Sequence, residues 1–236
     1  ETLIIEKQKH NRHWWELWKK TRHTKWDIIV DLRGSVVSYV LRGKQKYIWN
    51  KKGKQGLHKV EQLGKMMHLN TPPAPTLYFS NRIKKEAADM LPKTNKKIIA
   101  VGPAANWIGK SWHPERFIEL INTIRTTIPE YKDSHVAVFA APGEEHMALP
   151  VYQAIEKGKG INFIAKTKPE IAAALISQCD IYIGNDSGLM HCAAACGVPT
   201  LGLFGPSQVQ TYAPWGACTH YVTTDETCDE SLPIYM

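Results

Sequence analysis

No apolar run in the 236-residue chain approaches the roughly 20 residues that a membrane-spanning helix requires, which excludes a span of that kind. The chain opens at Glu1 without a basic stretch leading into an apolar one, so no secretory signal is visible. Cysteine is sparse. There are five, an odd number with no repeated C-x-x-C spacing, which argues against both a disulfide framework and a zinc ribbon. Cys192 and Cys196 stand one helical turn apart and could share a metal, but in an alanine-rich helix free cysteines behave as small apolar core residues. No metal is therefore expected, and unpaired thiols fit a reducing compartment, the cytoplasm.

Several phosphate-binding and catalytic fingerprints are also missing. No G-x-G-x-x-G follows a strand-like run, which weighs against a nicotinamide enzyme, and no cofactor is expected. The P-loop frame fails at Lys110 because Ala104 stands five residues before Gly109. Without a G-x-S-x-G elbow a serine hydrolase is disfavoured, and no helix-turn-helix, zinc or RNA-binding signature supports a nucleic-acid partner. Acidic residues are scarce at one end: residues 1–70 hold 16 Lys and Arg against 6 Asp and Glu, whereas residues 71–236 hold 14 against 16. A basic body on a nearly neutral one fits an anionic partner such as nucleic acid, an acidic membrane surface or a phosphorylated glycolipid; the alternative is a solvated surface with no partner.

With 43% hydrophobic and 22% charged residues, the composition is that of an ordinary globular chain able to bury one large core or two modest ones. The spacing predicts a strand at 26–31, a short helix at 36–41, a strand at 46–49, and a helix over 58–69 with Val60, Leu63, Met66 and Met67 on one face. Three prolines in Thr71-Pro-Pro-Ala-Pro75 make that segment a loop, leading into an apolar 77–79 and a helix over 81–91. The polar stretch 92–96 is the expected boundary between a partial first domain, 1–92, and a second, 96–236. From there strands at 98–101, 135–140, 161–164, 181–183 and 200–204 alternate with helices at 114–125, 145–156, 169–178 and after residue 188. Such alternation implies an α/β fold with a parallel sheet covered on both faces.

The segment 184–207 carries the most chemistry. An apolar strand runs into Asn185-Asp186-Ser187-Gly188, an alanine-rich helix follows, Gly197 ends it, and a second strand closes the unit on Gly205-Pro206-Ser207. Free N–H groups where a helix begins, at the carboxyl end of a strand, attract anions, so a phosphorylated ligand is expected. Asp186 occupies the expected N-cap, Gly188 allows close backbone approach, and His191 stands one turn after Ser187. These residues are either a phosphate pocket or a capping Asp and a core His. Lys110, between Gly109 and Ser111 in the loop after the 98–101 strand, can bring an ammonium to a diphosphate, while Trp107 and Trp112 either pack that loop or flank a ligand. Glu144 and Glu145 follow the 135–140 strand, where a carboxylate binds ribose hydroxyls or simply complements the helix dipole.

Asp186-Ser187-Gly188-Leu-Met-His191, Ala-Ala-Ala-Cys-Gly-Val-Pro-Thr, Gly202-Leu-Phe-Gly-Pro-Ser207 and Lys110-Ser-Trp-His-Pro-Glu-Arg-Phe117 resemble glycosyltransferase family 9, the ADP-heptose:lipopolysaccharide heptosyltransferases. Asp31-Leu-Arg-Gly-Ser35 and the helix at His58 are similar to the family's N-terminal half. The resemblance implies two facing Rossmann-like domains of GT-B type, the N-terminal one incomplete here, with the donor in the C-terminal domain and the acceptor in the N-terminal one. It implies that Asp186, Ser187, Gly188 and His191 surround the donor's diphosphate and sugar, that Lys110 pairs with its phosphates, and that Glu145, before Glu144, touches the ribose. It also implies inversion, with a carboxylate deprotonating the acceptor hydroxyl. The family's aspartate for that role has no counterpart before Trp14, and a closing helix would be expected beyond Met236, so the catalytic residue is unassigned and the chain is expected to be a fragment.

The resemblance therefore points to an enzyme, inverting and cytoplasmic, that moves heptose or a related sugar from an ADP-sugar to the lipopolysaccharide inner core. The implied partners are the ADP-sugar, an anionic glycolipid acceptor and, peripherally, the inner membrane surface, with no nucleic acid. The alternative is a nucleotide-sugar-binding module without catalysis.

Overall fold

The computed structural model describes residues 2–50 and 56–223, which divide into two compact units, Glu1–Pro73 and Ala74–Met236. The smaller begins with α1 (Arg12–Thr21), followed by β1 (Trp26–Asp31), α2 (Val36–Val40), β2 (Gly43–Ile48) and α3 (Lys59–Met66). β1 and β2 pair in parallel. His58 caps α3: its Nδ1 accepts from Val60 N at 3.2 Å, while the Glu61 carboxylate accepts from His58 N at 2.8 Å. Of the four apolar residues expected on its inner face only Met66 is fully buried; Gln62 and Gly64 are buried beside it, and Pro72 folds back onto Gly64.

The larger unit contains α4 (Asn81–Met90), β3 (Ile98–Gly102), α5 (Pro114–Thr127), β4 (His135–Ala140), α6 (Glu145–Gln153), β5 (Gly160–Ile164), α7 (Pro169–Ile176), β6 (Ile181–Asn185), α8 (Gly188–Ala195), β7 (Thr200–Phe204), α9 (Val209–Tyr212) and β8 (Thr219–Thr223). The six strands lie in the order β5-β4-β3-β6-β7-β8, all parallel. Alternate residues feed two cores. Ala100, Ala137, Phe139 and Tyr182 pack with α4, α7 and α8 on one face, and Ile99, Val101, Val136, Val138 and Ile183 pack with α5 and α6 on the other. The strand order reverses between β3 and β6, and in doubly wound sheets the crevice outside the carboxyl ends of such a pair takes the ligand.

The unit boundary lies at Pro73–Ala74 rather than in the polar 92–96 turn, because α4 packs on α7 and belongs with the larger sheet. Residues 77–79 are irregular, and Leu77 N donates to Ala195 O at the end of α8. The helix after β4 stops at Gln153, with Pro150 inside it. α1 and β8 were not foreseen.

Candidate anion-binding crevice

The loop 103–113 leaves β3 and is fixed to β6 by one buried side chain. Asn185 Nδ2 donates to Pro103 O at 2.8 Å and its Oδ1 accepts from Trp112 N at 3.1 Å, so a single amide holds both ends of the loop. Trp107 and Trp112 pack that loop: the Trp107 ring fills the space beside Gly109, and Trp112 meets Phe117 edge-on with centroids 5.3 Å apart. The fastened loop delivers Lys110, whose Nζ donates to Asp186 Oδ2 at 2.7 Å; the Asp186 side chain is 7% exposed and that of Lys110 28%. His191 Nε2 approaches the other oxygen of Asp186 at 3.9 Å. Lys110, Asp186 and His191 thus converge across the β3–β6 switch point.

Asp186 is not the N-cap expected from the sequence. Ser187 holds that position in extended geometry and makes no side-chain capping bond, while Asp186 is drawn to Lys110. The first amides of α8 therefore have no intrahelical acceptor and no cap of their own. Gly188 is exposed and a Cβ there would meet nothing within 4 Å. The Ser187 hydroxyl is buried, whereas the His191 imidazole one turn on is 45% exposed. The loops after β3 and β7 touch backbone to backbone, since a Cβ on Gly205 would meet Gly109 O at 2.7 Å. Glu145 opens α6 at the end of β4, next to β3 in the sheet, and is half-buried; Glu144 closes the preceding turn by accepting from Ala141 N at 3.1 Å.

Cys192 and Cys196 remain thiols, with burial pushing both up, Cys196 to about 11. Among the described residues no group of three metal-ligating side chains occurs, and no helix is long and apolar enough to cross a membrane.

The smaller unit has a cavity of about 740 Å³ lined by Lys7, Asn11, His13, Trp14, Asp31 and Arg33 among others. Asp31 ends β1 and is heavily bonded. Burial pushes its carboxyl up, but the hydroxyls of Ser38 and Ser35 and the amides of Arg33 and Ser35 outweigh burial and hold it at about 2. The Asp31-Leu-Arg-Gly-Ser35 segment is thus a self-satisfied turn at the cavity wall.

The larger unit's parallel sheet, covered on both faces and with Lys110, Asp186 and His191 at its switch point, defines a doubly wound α/β protein. The model of glycosyltransferase family 9 (heptosyltransferase) matches residues 48–233, and the chain belongs to that family. It is 26% identical over 194 residues to lipooligosaccharide heptosyltransferase 2 of Campylobacter jejuni, covering 76% of this chain and 56% of the relative. The chain thus spans about half the length of the curated relatives it matches. Among solved structures, a family 9 glycosyl transferase from Veillonella parvula superposes with a TM-score of 0.77 at 19% identity, covering 94% of this chain and 70% of that one. The E. coli ADP-heptose lps heptosyltransferase II superposes with a TM-score of 0.71 at 19% identity, covering 89% and 72%. At that identity the two structures share the fold.

Proposed function

We propose that the protein is, or is part of, an inverting glycosyltransferase that moves heptose or a related sugar from an ADP-sugar to the lipopolysaccharide inner core. The observation that carries this is the Lys110 ammonium, held 2.7 Å from Asp186 beside the uncapped start of α8. Lys110 has three donors, so it can keep Asp186 and also take phosphate oxygens. The α8 amides receive the diphosphate at the open surface of Gly188, with His191 and, once the anion has displaced what covers it, the buried Ser187 hydroxyl as further hydrogen-bond partners. Asp186 accepts from sugar hydroxyls, and Glu145 takes the ribose. The choice of adenine and heptose rests on the family and on the donor named for the E. coli neighbour. The base that deprotonates the acceptor is assigned to no residue of this chain.

The smaller unit receives the anionic acceptor. α1 supports contact with an anionic membrane surface, because its outer side carries Arg12 and Lys19 around Trp15, which is 55% exposed with Lys19 Nζ 3.5 Å above its ring. The assignment places the protein in the cytoplasm, peripheral to the inner membrane.

Calorimetric titration of the full chain with ADP, UDP, GDP and CDP tests the donor site. ADP is expected to bind best, and Lys110→Ala and Asp186→Ala to weaken it at least about tenfold, as the loss of a charged hydrogen-bond partner does. Unchanged ADP affinity in both variants would overturn the assignment. Binding with no sugar transfer by the full-length protein would favour the non-catalytic module instead.

A further inference from the structure

Two hydroxyls lie beneath the start of α8, one of them on a residue with no role so far. Tyr182 has 0% exposure, and its ring runs along the sheet toward the carboxyl ends of the strands: a Cβ on Gly102 or on Gly184 would run into its hydroxyl. The phenol therefore lies across the ends of β3 and β6, where glycine on both strands makes room for it. The neighbouring Ser187 Oγ is buried as well, and among the described residues neither atom has a hydrogen-bond partner. A buried hydroxyl without a partner is unfavourable, and phenylalanine would fill nearly the same volume without that cost. Burial pushes the Tyr182 phenol up, with the neighbouring Ser187 hydroxyl opposing it, so Tyr182 keeps its proton at working pH and remains a donor.

A serine hydroxyl has one proton and two lone pairs. If that proton turns outward to a phosphate oxygen at the first turn of α8, the lone pairs turn inward, toward the Tyr182 hydroxyl. We propose that Tyr182 is a positioning residue for the nucleotide diphosphate: its O–H donates to Ser187 Oγ and aligns the single Ser187 proton with a phosphate oxygen. This inference rests on the diphosphate reading of the crevice. Donor and acceptor polarise one another in such a chain, so the pair acts as a unit when an anion is bound and is poorly satisfied when none is.

Tyr182→Phe, Ser187→Ala and the double variant, each in the full chain, test it by ADP calorimetry together with the melting temperature of the ligand-free protein. Tyr182→Phe is expected to melt at the wild-type temperature or above it, because an unsatisfied hydroxyl is removed and the ring is kept, while ADP affinity falls about five- to tenfold. The double variant is expected to bind no more weakly than Ser187→Ala alone. A merely structural tyrosine would lower the melting temperature and leave affinity untouched. ADP affinity within twofold of wild type in Tyr182→Phe, or losses that add in the double variant, would overturn the proposal. If Lys110→Ala abolishes ADP binding while Tyr182→Phe retains it, this proposal alone falls; if the wild-type chain binds none of the four nucleotides, the diphosphate reading falls and takes it along.

Discussion

Asn185→Ala is expected to release the loop that carries Lys110, and the size of the effect follows from the two bonds lost. At one end the Pro103 carbonyl loses its 2.8 Å donor in a buried setting, which costs about 1–3 kcal/mol. At the other end Trp112 N loses its 3.1 Å acceptor where water has partial access, which costs about 0.5–1.5 kcal/mol. The total is about 1.5–4.5 kcal/mol, and at about 2–4 °C per kcal/mol for a unit of this size the melting temperature falls by about 3–18 °C. Differential scanning calorimetry reads this directly, provided the transition of the larger unit is followed separately if the two units melt apart. Asn185→Asp sharpens the test. It keeps an acceptor for Trp112 N but turns a carboxylate oxygen toward the Pro103 carbonyl, so it should be no more stable than the alanine variant. A fall of less than about 2 °C for Asn185→Ala, or wild-type stability for Asn185→Asp, would refute the claim that one amide fastens the loop. Because Lys110 rides on this loop, ADP affinity should fall as well; a destabilised variant with wild-type affinity would break that link.

Lys110→Ala also has a stability consequence. It leaves the nearly buried Asp186 carboxylate without its cation, and urea unfolding should show a loss of about 1–3 kcal/mol, the cost of breaking a buried pair discounted for the partial exposure of Lys110. Gly188→Ala separates fold from ligand: a methyl there meets nothing within 4 Å, so the melting temperature should hold within about 1 °C while ADP affinity drops by titration, and unchanged affinity would mean that no ligand approaches this backbone. For Asp31, the folded-state value of about 2 lies below the ordinary 3.8, so its stabilisation is fully present above about pH 4 and is lost as pH falls toward 2. Discounted for its exposure, the contribution is about 1 kcal/mol; Asn at this position should remove it at pH 7 and narrow the gap to wild type in acid, as acid titration followed by circular dichroism would show.

Much of the larger unit was legible along the chain because its strands are short β-branched runs between turn signals. The strands at 135–140 and 200–204 begin and end where the pattern says, as does the strand at 26–31 in the smaller unit, and Pro114 and Pro169 mark helix starts. The misses have physical causes. α1 sets Trp14, Leu17 and Trp18 at helical spacing against exposed charged residues, so the pattern itself signals a helix, and only its low share of apolar residues speaks against one. β8 is largely exposed at the sheet edge and lacks a continuous apolar run. The boundary was misplaced because which side α4 packs on is a tertiary fact that the polar turn after it does not encode. At the site, Lys110 and Asp186 stood out as residue types in loops, yet their pairing depends on β3 and β6 being neighbours. The work of Asn185 and the orientation of Tyr182 depend on the same adjacency, and nothing local to either residue signals it.

A carboxylate in the proposed anion site looks self-defeating until the charges are summed. Lys110 and Asp186 cancel, and the start of α8 contributes roughly half a positive charge, so the crevice offers an incoming diphosphate little net attraction. The sequence agrees: residues 71–236 hold 14 basic against 16 acidic residues. Affinity in such a crevice has to come from directed donors held in place beforehand rather than from bulk charge. Asp186 serves that end by fixing the Lys110 ammonium, which without it would sample many rotamers and lose that freedom on binding. The excess of positive charge sits in residues 1–70, apart from the crevice in sequence, so an anionic partner of the smaller unit would be drawn by a screened, long-range field. On the proposed function the two parts of the chain would therefore recognise anions by different physics: short directed bonds where geometry must discriminate, and diffuse charge where a surface need only be found.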